Sequence, residues 1–503
     1  MSAGRAPSRA VSRMVEFTTE PMATMRVLES RSLGTILGAS TLFVLAAACG
    51  EGAAPPPGGG TVGSGDTKTV PHTLYVAHEG SIVAYDIATG AEIPGSVSSV
   101  SDPRFMQALD DGTVLLNNTK LDEILVVAGR PAREIRRFPS SSQGGRKPVE
   151  SYITPTYAGK TYWVTLNDGD MSMGSNTITL VDATKGSPTW LEHVGEIAAG
   201  NGHHQAAFSA TQPRAVVTSF YDCDNVLSVH DFTNPKSIKT IATLTAKAIG
   251  LDGSTVAKTC DPAESTGIAP KPHGCATSKA SGKVYCNVGG PGLIAVTDVD
   301  ATPPTFTTIP TTGKGGGYTK ASNGGKFVYS VQASPREGNG GVACQIGQLV
   351  TIDTETDKVT SEVPLLYKGA GCNDALVGTD EETDGPNRLR ITRNGKMMFV
   401  AVSGGSGITT ARVRQEMVFD LASPAAPVQL ASIKVGVSTG ERATEMSGDG
   451  KWLFVADVVD GTVTQIDVAT LKVVATIPVK ATPRMLTTFC TVEGPSYQIG
   501  PVH

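Results

Sequence analysis

The sequence predicts an all-β protein, a β-propeller of eight four-stranded blades. Short segments that alternate between apolar and polar residues recur along the chain, with turn residues between them, and one strand–turn–strand pattern repeats. Of the 503 residues, 57 are glycine and 31 are proline, and only 18% are charged. This composition favours many short strands over long helices.

The repeated unit contains a short strand, a turn of the type S-x-D-G-K, an apolar strand and then the pattern x-V-x-D-x-x-T/S. The clearest copy is "EMSGDGKWLFVADVVDGTVTQIDVATLKVVATIPV" at 445–479. Other copies occupy residues 105–138, 152–186, 207–244, 276–299, 320–366 and 391–433. Since one such sheet cannot bury both of its faces, the copies must stack as blades around an axis.

The two ends of the repeat region complement each other. The first unit, residues 73–93, lacks an inner strand, and residues 481–489 have the pattern of an inner strand without a blade. Together they make one blade, which closes the ring and removes the free sheet edge. The count is then eight blades, or seven if one of the looser copies is not a blade. We expect residues 71–503 to form this propeller and the chain to be a monomer.

The N-terminal segment has the pattern of an export signal. An apolar run from about Leu33 to Ala48 is too short to span a membrane comfortably, and Cys49 follows three alanines. This resembles the lipobox of bacterial lipoproteins, in which the cysteine is diacylated and becomes the N-terminus. We therefore expect residues 1–48 to be removed and Cys49 to carry lipid. An ordinary secretory signal with an incidental cysteine is the alternative.

The export signal determines the expected location. Residues 49–70 are rich in glycine and proline and are predicted to be a flexible tether. Gly50 after the lipid cysteine favours the outer over the inner membrane. We expect a cell-envelope protein of a Gram-negative bacterium, with its domain in the periplasm or on the cell surface and membrane contact only through the anchor. The net charge of −5 provides no basic surface for nucleic acid.

Histidines precede two of the predicted inner strands. "GNGHHQAAFS" (200–209) contains His203 and His204, and "KPHGCATS" (271–278) contains His273. In a propeller, residues just ahead of the inner strands surround the mouth of the axial channel. Aligning the blades on the turn after the inner strand gives one set of equivalent rim positions: Arg104, Ser151, His204, His273, Gly317, Asn387, Arg442 and Arg484.

This polar rim is compatible with two kinds of role. Polar side chains can simply cap the incoming loops, and the three arginines Arg104, Arg442 and Arg484 favour this or a contact with a partner. Neutral imidazole is also a good ligand for Zn²⁺ or Cu²⁺, which need three or four converging donors. The candidate donors predicted on this face are His203, His204, His273, His78, Asp222 and Asp224.

Three segments carry a closer resemblance. They are "LYVAHEGSIVAYDIATG" (74–90), "GHHQAAFS" (202–209) and "PHGCATSKASGKVYCNVGGPGLIAV" (272–296). They resemble the periplasmic zinc metallochaperones that serve zinc ABC importers, the AztD-like proteins, and the repeats resemble the YVTN-type, WD40-like propellers of secreted bacterial proteins. The residues on the metallochaperone pattern are His78, His204, Cys260, His273 and Cys286. The chain departs from it at Ala77, Gln205 and Cys275, where that family has an acid, glycine and glutamate.

The metallochaperone resemblance implies zinc binding and, as a partner, the metal-importer system. We therefore predict a non-catalytic, lipid-anchored propeller that binds zinc, or copper, at its histidine-rich channel mouth. Two alternatives remain open. One is a scaffold that binds a protein or polymer of the envelope through the rim arginines. The other is a lactonase-type hydrolase, for which the sequence shows no dedicated catalytic carboxylate.

The cysteines are expected to form disulfides, because an exported protein meets an oxidising compartment. Cys275 and Cys286 flank a short turn symmetrically and would face each other across two strands. The metallochaperone resemblance instead implies that Cys260 pairs with Cys286. Cys344 and Cys372 are predicted to close one long insertion, and one thiol is left over.

Overall fold

A computed structural model gives the fold. It describes residues 73–109, 112–169, 176–202, 205–251, 267–332, 344–367, 386–402, 412–438, 443–479, 483–490 and 494–495. Eight antiparallel sheets form within these ranges, seven with four strands and one with a short fifth strand. Helix is limited, in the described part of the chain, to the 3-10 turns Thr119–Leu121, Pro235–Ser237 and Lys247–Ile249. The eight-bladed propeller predicted from the sequence is therefore confirmed.

The strands follow one another blade by blade. Blade 1 begins with β1 (Thr73–His78), β2 (Gly80–Asp86) and β3 (Glu92–Val100). Blade 2 contains β4 (Pro103–Ala108), β5 (Val114–Asn118), β6 (Glu123–Ala128) and β7 (Arg133–Pro139). Blade 3 contains β8 (Pro148–Ile153), β9 (Tyr162–Asn167), β10 (Thr177–Asp182) and β11 (His193–Ala198). Blade 4 contains β12 (Ala206–Phe208), β13 (Arg214–Thr218), β14 (Asn225–Asp231) and β15 (Lys239–Thr245).

The second half repeats the arrangement. Blade 5 contains β16 (Pro272–Thr277), β17 (Val284–Val288), β18 (Leu293–Asp298) and β19 (Thr305–Pro310). Blade 6 contains β20 (Thr319–Ala321), β21 (Phe327–Gln332), β22 (Cys344–Asp353) and β23 (Lys358–Tyr367). Blade 7 contains β24 (Pro386–Ile391), β25 (Met397–Val402), β26 (Arg412–Asp420) and β27 (Val428–Ser438). Blade 8 contains β28 (Thr444–Met446), β29 (Trp452–Asp457), β30 (Thr462–Asp467) and β31 (Lys472–Pro478), and the last strands are β32 (Pro483–Cys490) and β33 (Gly494–Pro495).

The C-terminal strand closes the ring. β32 pairs antiparallel with β1 as the inner strand of blade 1, and it also contacts β4 of blade 2 and β28 of blade 8. One apolar cluster continues through the closure and includes Phe454 of blade 8, Tyr75 of blade 1 and Leu116 of blade 2. The closure predicted from the two incomplete ends of the repeat region is thus what completes the core.

Each blade is most buried near the axis and most exposed at its outer strand. All five residues of β5 and all six of β9 are buried, whereas most residues of the outer strand β7 are exposed. Apolar side chains pack between neighbouring blades, as between blades 3 and 4, where Tyr152 and Phe208 meet with ring centroids 6.2 Å apart. Inner strands thereby gather around one axis, which positions the candidate site.

The acid of the repeat has a structural role. Asp86, Asp353 and Asp467 are each the last residue of the third strand of a blade. Their Oδ1 atoms accept hydrogen bonds from the backbone N–H groups of Thr89, Thr356 and Thr470 in the following turn, at 2.9 Å, 3.0 Å and 2.7 Å. Such side-chain-to-backbone bonds stabilise tight turns. We therefore assign no binding chemistry to these carboxylates.

The predicted export segments lie outside the description. Residues 1–48, the tether at 49–70 and Cys49 are not among the described residues. Within the described residues, no helix has the length and apolar character needed to span a bilayer.

Ring closure by β32 can be tested by truncation. A chain that ends at Val479 lacks the inner strand of blade 1, which exposes the edge of β1 and opens the cluster around Tyr75. We expect this chain to lose cooperative thermal unfolding, measured by circular dichroism, and to aggregate. The matched chain that ends at Pro495 retains β32 and β33 and should unfold within about 3 °C of the full chain. Cooperative unfolding of both chains would contradict closure by β32.

Candidate metal site at the channel mouth

The candidate site lies where the inner strands begin. We call this end of the axial channel the upper mouth, and the opposite end, where the inner strands finish, the lower mouth. The loops between the second and third strands of the blades also lie at the upper mouth, because adjacent strands are antiparallel. Residues that precede inner strands and residues of these loops therefore share one face.

Irregular pairing is frequent at the upper mouth. In blades 1, 2, 3, 5 and 7 the register between inner and second strand shifts near the start of the inner strand. Such bulges redirect side chains and are common at rims and binding sites. The predicted rim positions Arg104, His273, Asn387 and Arg484 lie at these shifts. At these positions the simple alternation of side chains along a strand therefore does not predict which way each side chain points.

Gly274 determines the backbone beside His273. It has φ +68°, in the left-handed region, and the register shift falls between His273 and Cys275. A Cβ atom at this position would lie 2.3 Å from the Gly317 carbonyl oxygen and 2.7 Å from the Tyr318 Cα. Both the conformation and the close approach of blade 6 require glycine. The bulge thus presses His273 against the start of β20.

His273 makes polar and aromatic contacts across blade boundaries. Its Nε2 lies 3.2 Å from the Nε2 of Gln205, a hydrogen bond in which the amide N–H donates when the imidazole nitrogen is unprotonated. Its ring meets the Tyr318 ring edge-on at 4.8 Å and the Phe220 ring at 5.9 Å. His273 is 9% exposed and Gln205 is fully buried. The accepting nitrogen is the one whose lone pair a metal ion would use.

Gln205 links blade 5 to the other histidine segment. It directly follows His204 in the sequence, and its backbone carbonyl accepts a hydrogen bond from the Thr218 N–H at 2.8 Å, continuing the pairing of β12 with β13. His203 and His204 themselves lie outside the described residues. The structure therefore describes one contact that is relevant to the predicted histidine pair. It joins Gln205, the next residue after the pair, to His273.

Side chains from three other blades meet across the axis. The hydroxyl of Tyr318, which precedes β20, donates to Glu150 Oε1 of blade 3 at 3.4 Å, and the Arg388 guanidinium of blade 7 lies 5.3 Å from the Tyr318 ring centroid. All three residues are buried. Burial raises the pKa of the neighbouring Tyr152 well above its ordinary value, and the Glu150 charge adds to this. The channel is thus crossed by side chains just inside the upper mouth.

Sequence reasoning missed this second set of residues. A pattern in the sequence could have identified them. Polar or ionisable residues occur two apart at or just before the inner strands, as in Glu150 and Tyr152, Tyr318 and Lys320, and Arg388 and Arg390. Residues two apart on a strand point to one face. The rim alignment instead selected the neighbouring positions Ser151 and Asn387, in blades with a bulge, and Gly317 in blade 6.

His78 lies elsewhere in the ring. It ends β1 in blade 1, four blades away from His273, and it lies on the second strand rather than the inner one. Its Nδ1 donates to the Glu79 carbonyl oxygen at 2.9 Å, and its Nε2 accepts from Ser81 Oγ at 3.0 Å in the corresponding tautomer. These bonds stabilise the turn between β1 and β2, so we do not group His78 with His273.

The two predicted aspartates belong to the loop between β13 and β14. Asp222 Oδ1 accepts hydrogen bonds from the backbone N–H of Asp224 at 3.0 Å and of Asn225 at 2.9 Å, which stabilises the loop. Asp224 is exposed. Across the described ranges, no group of three or more His, Cys, Asp or Glu side chains is arranged to hold one metal ion. Donors from the described residues alone are therefore insufficient for a zinc site.

The three predicted rim arginines are Arg104, Arg442 and Arg484, and the structure describes the side chain of Arg104. Arg104 is exposed and forms an ion pair with Asp102 at 3.0 Å, so its charge is locally balanced. Arg442 lies outside the described residues, and Arg484 lies on β32 with a side chain that is not among those described.

One disulfide lies directly behind His273. Cys275 and Cys286 are cross-strand partners of β16 and β17, and their sulfur atoms are bonded. Cys286 is thus joined to Cys275, not to Cys260 as the metallochaperone resemblance implied. Cys223 is also disulfide-bonded. Cys260 and Cys372 lie outside the described residues, and Cys344 begins β22 with an undescribed side chain.

Comparison with known proteins adds information on the fold. No protein-family model matches the sequence, and no curated protein matches it. The structure of apo AztD from Citrobacter koseri has a TM-score of 0.54 and 11% sequence identity, covering 86% of this chain and 100% of that one. A second structure of Citrobacter koseri AztD has a TM-score of 0.52 and 11% identity, covering 84% and 98%. At such identities the similarity establishes the shared fold.

Gly274→Ala tests how the bulge holds His273. The added Cβ meets backbone of blade 6 and the residue keeps a positive φ, so we expect the free energy of unfolding to fall by about 2 kcal/mol or more. Gly282 is the matched control: it has φ +74° but open space around its Cβ position, so Gly282→Ala should cost about 1 kcal/mol. Denaturant unfolding measures both. Equal losses in the two variants would contradict the close approach at Gly274.

Proposed function

We propose that this protein is an exported propeller that binds a zinc ion at the upper mouth through His273, His203 and His204 and carries it as cargo for a metal importer. The observation that carries the proposal is the contact between Gln205 and His273. It joins the residue next to the histidine pair to an imidazole on the neighbouring blade.

The donor set has the chemistry of a zinc site. Zinc takes three or four ligands in a tetrahedral arrangement, and imidazole nitrogen is among its preferred donors. Consecutive residues are about 3.8 Å apart along the chain, so the histidine pair is tethered beside the residue that contacts His273. Three imidazoles leave a fourth position open. That position supports a carrier role, because a ligand of the receiving protein can enter there and begin the transfer.

The surroundings of His273 favour a defined metal site. Phe220 and Tyr318 cover two sides of the imidazole, which limits water access and fixes the ring. Gln205 provides a hydrogen-bonding partner that can reorient when zinc takes the Nε2 lone pair. The hydrophobic surroundings of a metal site control solvent access, which is the contribution of the two aromatic rings here.

Two similarities support the cargo role and the importer partner. The segments at 74–90, 202–209 and 272–296 resemble periplasmic zinc metallochaperones, and the overall fold is similar to that of AztD. The proposal also includes the location expected from the sequence: a lipid at Cys49 and a domain in the periplasm or on the surface of a Gram-negative cell.

Zinc titration with and without His273 tests the proposal. The full-length chain, expressed with its export signal and purified metal-free, should bind one zinc ion per molecule in a chelator competition assay. His273→Ala should weaken binding by about 100-fold or more, because a direct ligand is lost. His193→Ala is the matched control, since His193 lies on the outer strand of blade 3 and contacts Phe138 at 5.5 Å. It should bind zinc like the unchanged chain.

Two results would overturn the proposal. One is a metal-free protein that takes up no zinc, and the other is equal zinc affinity in the His273→Ala and His193→Ala variants. Either result, together with unchanged thermal stability, would favour the envelope scaffold instead. A preference for Cu²⁺ over Zn²⁺ at the same residues would retain the site and change its metal.

The affinity should depend on pH in one direction. Zinc binds neutral imidazole, so protons compete for the ligands and binding weakens as the pH falls through the ordinary histidine range near about 6.5. Each protonated ligand must release a proton, so we expect the slope of log affinity against pH to steepen below that range. Calorimetry in buffers of different ionisation enthalpy measures the protons released. Zinc affinity that is independent of pH between about 5 and 7 would exclude histidine ligands.

A further inference from the structure

The side chain of Gln205 lies buried against the proposed zinc ligand His273. Gln205 is fully buried, and its side-chain Nε2 lies 3.2 Å from the Nε2 of His273. Its side-chain carbonyl oxygen Oε1 is also buried, and it accepts no hydrogen bond from the described part of the chain. A buried acceptor without a donor is costly, because the oxygen has lost its hydrogen bonds to water. A bound ion is one of the explanations for such a group in a native structure.

Gln205 has a fixed backbone and a side-chain amide that can turn. Its backbone N–H donates to Thr218 Oγ1 at 2.7 Å, and its backbone carbonyl accepts from the Thr218 N–H at 2.8 Å. The last torsion of a glutamine side chain is broad and roughly two-fold, so a half-turn exchanges the oxygen and nitrogen ends of the amide. This turn brings Oε1 close to the present position of Nε2, which is 3.2 Å from the His273 Nε2.

The spacing is close to that of two ligands on one zinc ion. Zinc binds imidazole nitrogen at about 2.0–2.1 Å and oxygen at about 2.0–2.2 Å, so two such ligands at the tetrahedral angle are about 3.4 Å apart. The observed separation of 3.2 Å between the two Nε2 atoms is near this value. A turned amide therefore needs only a small sideways shift to share one zinc ion with His273.

The other neighbours of His273 are aromatic. Phe220 and Tyr318 meet the imidazole with their rings at 5.9 Å and 4.8 Å, whereas Gln205 contributes the polar atoms beside Nε2. An aromatic ring offers no lone pair of the kind that zinc prefers, and an amide oxygen does. Gln205 is thus the neighbour of His273 whose chemistry suits a metal ligand.

We infer that Gln205 is the fourth ligand of the zinc ion and binds it through Oε1 after the amide has turned. This inference rests on the proposed function, since it adds a ligand to the three histidines. In the metal-free protein the amide N–H donates to His273 Nε2 and competes with zinc for that lone pair. In the loaded protein the neutral oxygen fills the position that three imidazoles leave. A stronger ligand of the receiving protein then displaces it, which retains the carrier role.

Infrared difference spectroscopy tests this inference. The full-length protein is produced with glutamine that carries ¹³C at the side-chain carbonyl, purified metal-free and then loaded with zinc. Coordination through oxygen weakens the C=O bond, so a ¹³C-sensitive side-chain amide band should move to lower frequency on zinc loading. Gln205→Leu should lack the shift. Gln107→Leu is the matched control and should retain it, because Gln107 is also buried on an inner strand with an Oε1 that accepts from no described residue.

Zinc affinity, measured by chelator competition at one pH, gives a second readout. Gln205→Leu should weaken binding about tenfold, less than His273→Ala, because a neutral oxygen is a weaker donor than imidazole. Gln205→Glu should bind zinc more tightly than the unchanged chain and release it more slowly to a chelator, because its carboxylate is a charged oxygen ligand. Thermal unfolding of the metal-free variants shows whether each retains the fold.

The outcomes separate this inference from the proposed function. No change in the amide band on zinc loading, or the same shift in Gln205→Leu, would overturn the inference and leave the histidine site in place. Equal zinc affinity in Gln205→Leu and Gln107→Leu would do the same. If Gln205→Leu does not fold, Gln205→Glu decides, and an affinity equal to that of the unchanged chain would overturn the inference. A chain that takes up no zinc overturns both proposals.

Discussion

Pairing of β32 with β1 is the interaction on which the rest of the structure depends. It supplies the inner strand of blade 1 and joins blades 8, 1 and 2 in one apolar cluster. β32 pairs with the inner edge of β1, and in the closed ring each blade buries both faces against its neighbours. Closure also forces inner strands from distant parts of the sequence around a common axis. Tyr318 and Glu150, 168 residues apart, meet for this reason.

The fold could be predicted from local pattern because strand alternation and turn residues are properties of short segments. The repeated Asp in x-V-x-D-x-x-T/S, for example, caps the same turn in blades 1, 6 and 8. The position of His273 ahead of an inner strand followed from the same repeat. Its environment did not, because a bulge at Gly274 and the approach of Gly317 depend on how two blades pack.

Other features of the site could not be deduced from spacing. His78 shares the upper-mouth face with His273, but Ser81 and Glu79 occupy its ring nitrogens, and such local bonds leave no clear mark in sequence. Glu150 and Arg388 were missed because bulges in blades 3 and 7 shift the register near the start of the inner strand, and Tyr318 was missed because it precedes its inner strand. Sequence alone also left the partner of Cys286 open, a choice that depends on the register of β16 and β17.

The side chains around the axial channel differ in type between its two ends. Imidazole and aromatic rings gather at the upper mouth, while the buried ion pair between Arg390 and Glu445 lies nearer the lower mouth. The central claim is that zinc is held by histidines contributed by neighbouring blades. X-ray absorption spectroscopy of the zinc-loaded protein tests it most directly. It should show about three imidazole nitrogens at about 2.0 Å and no sulfur. A shell of sulfur ligands at about 2.3 Å, or oxygen ligands without imidazole, would contradict it.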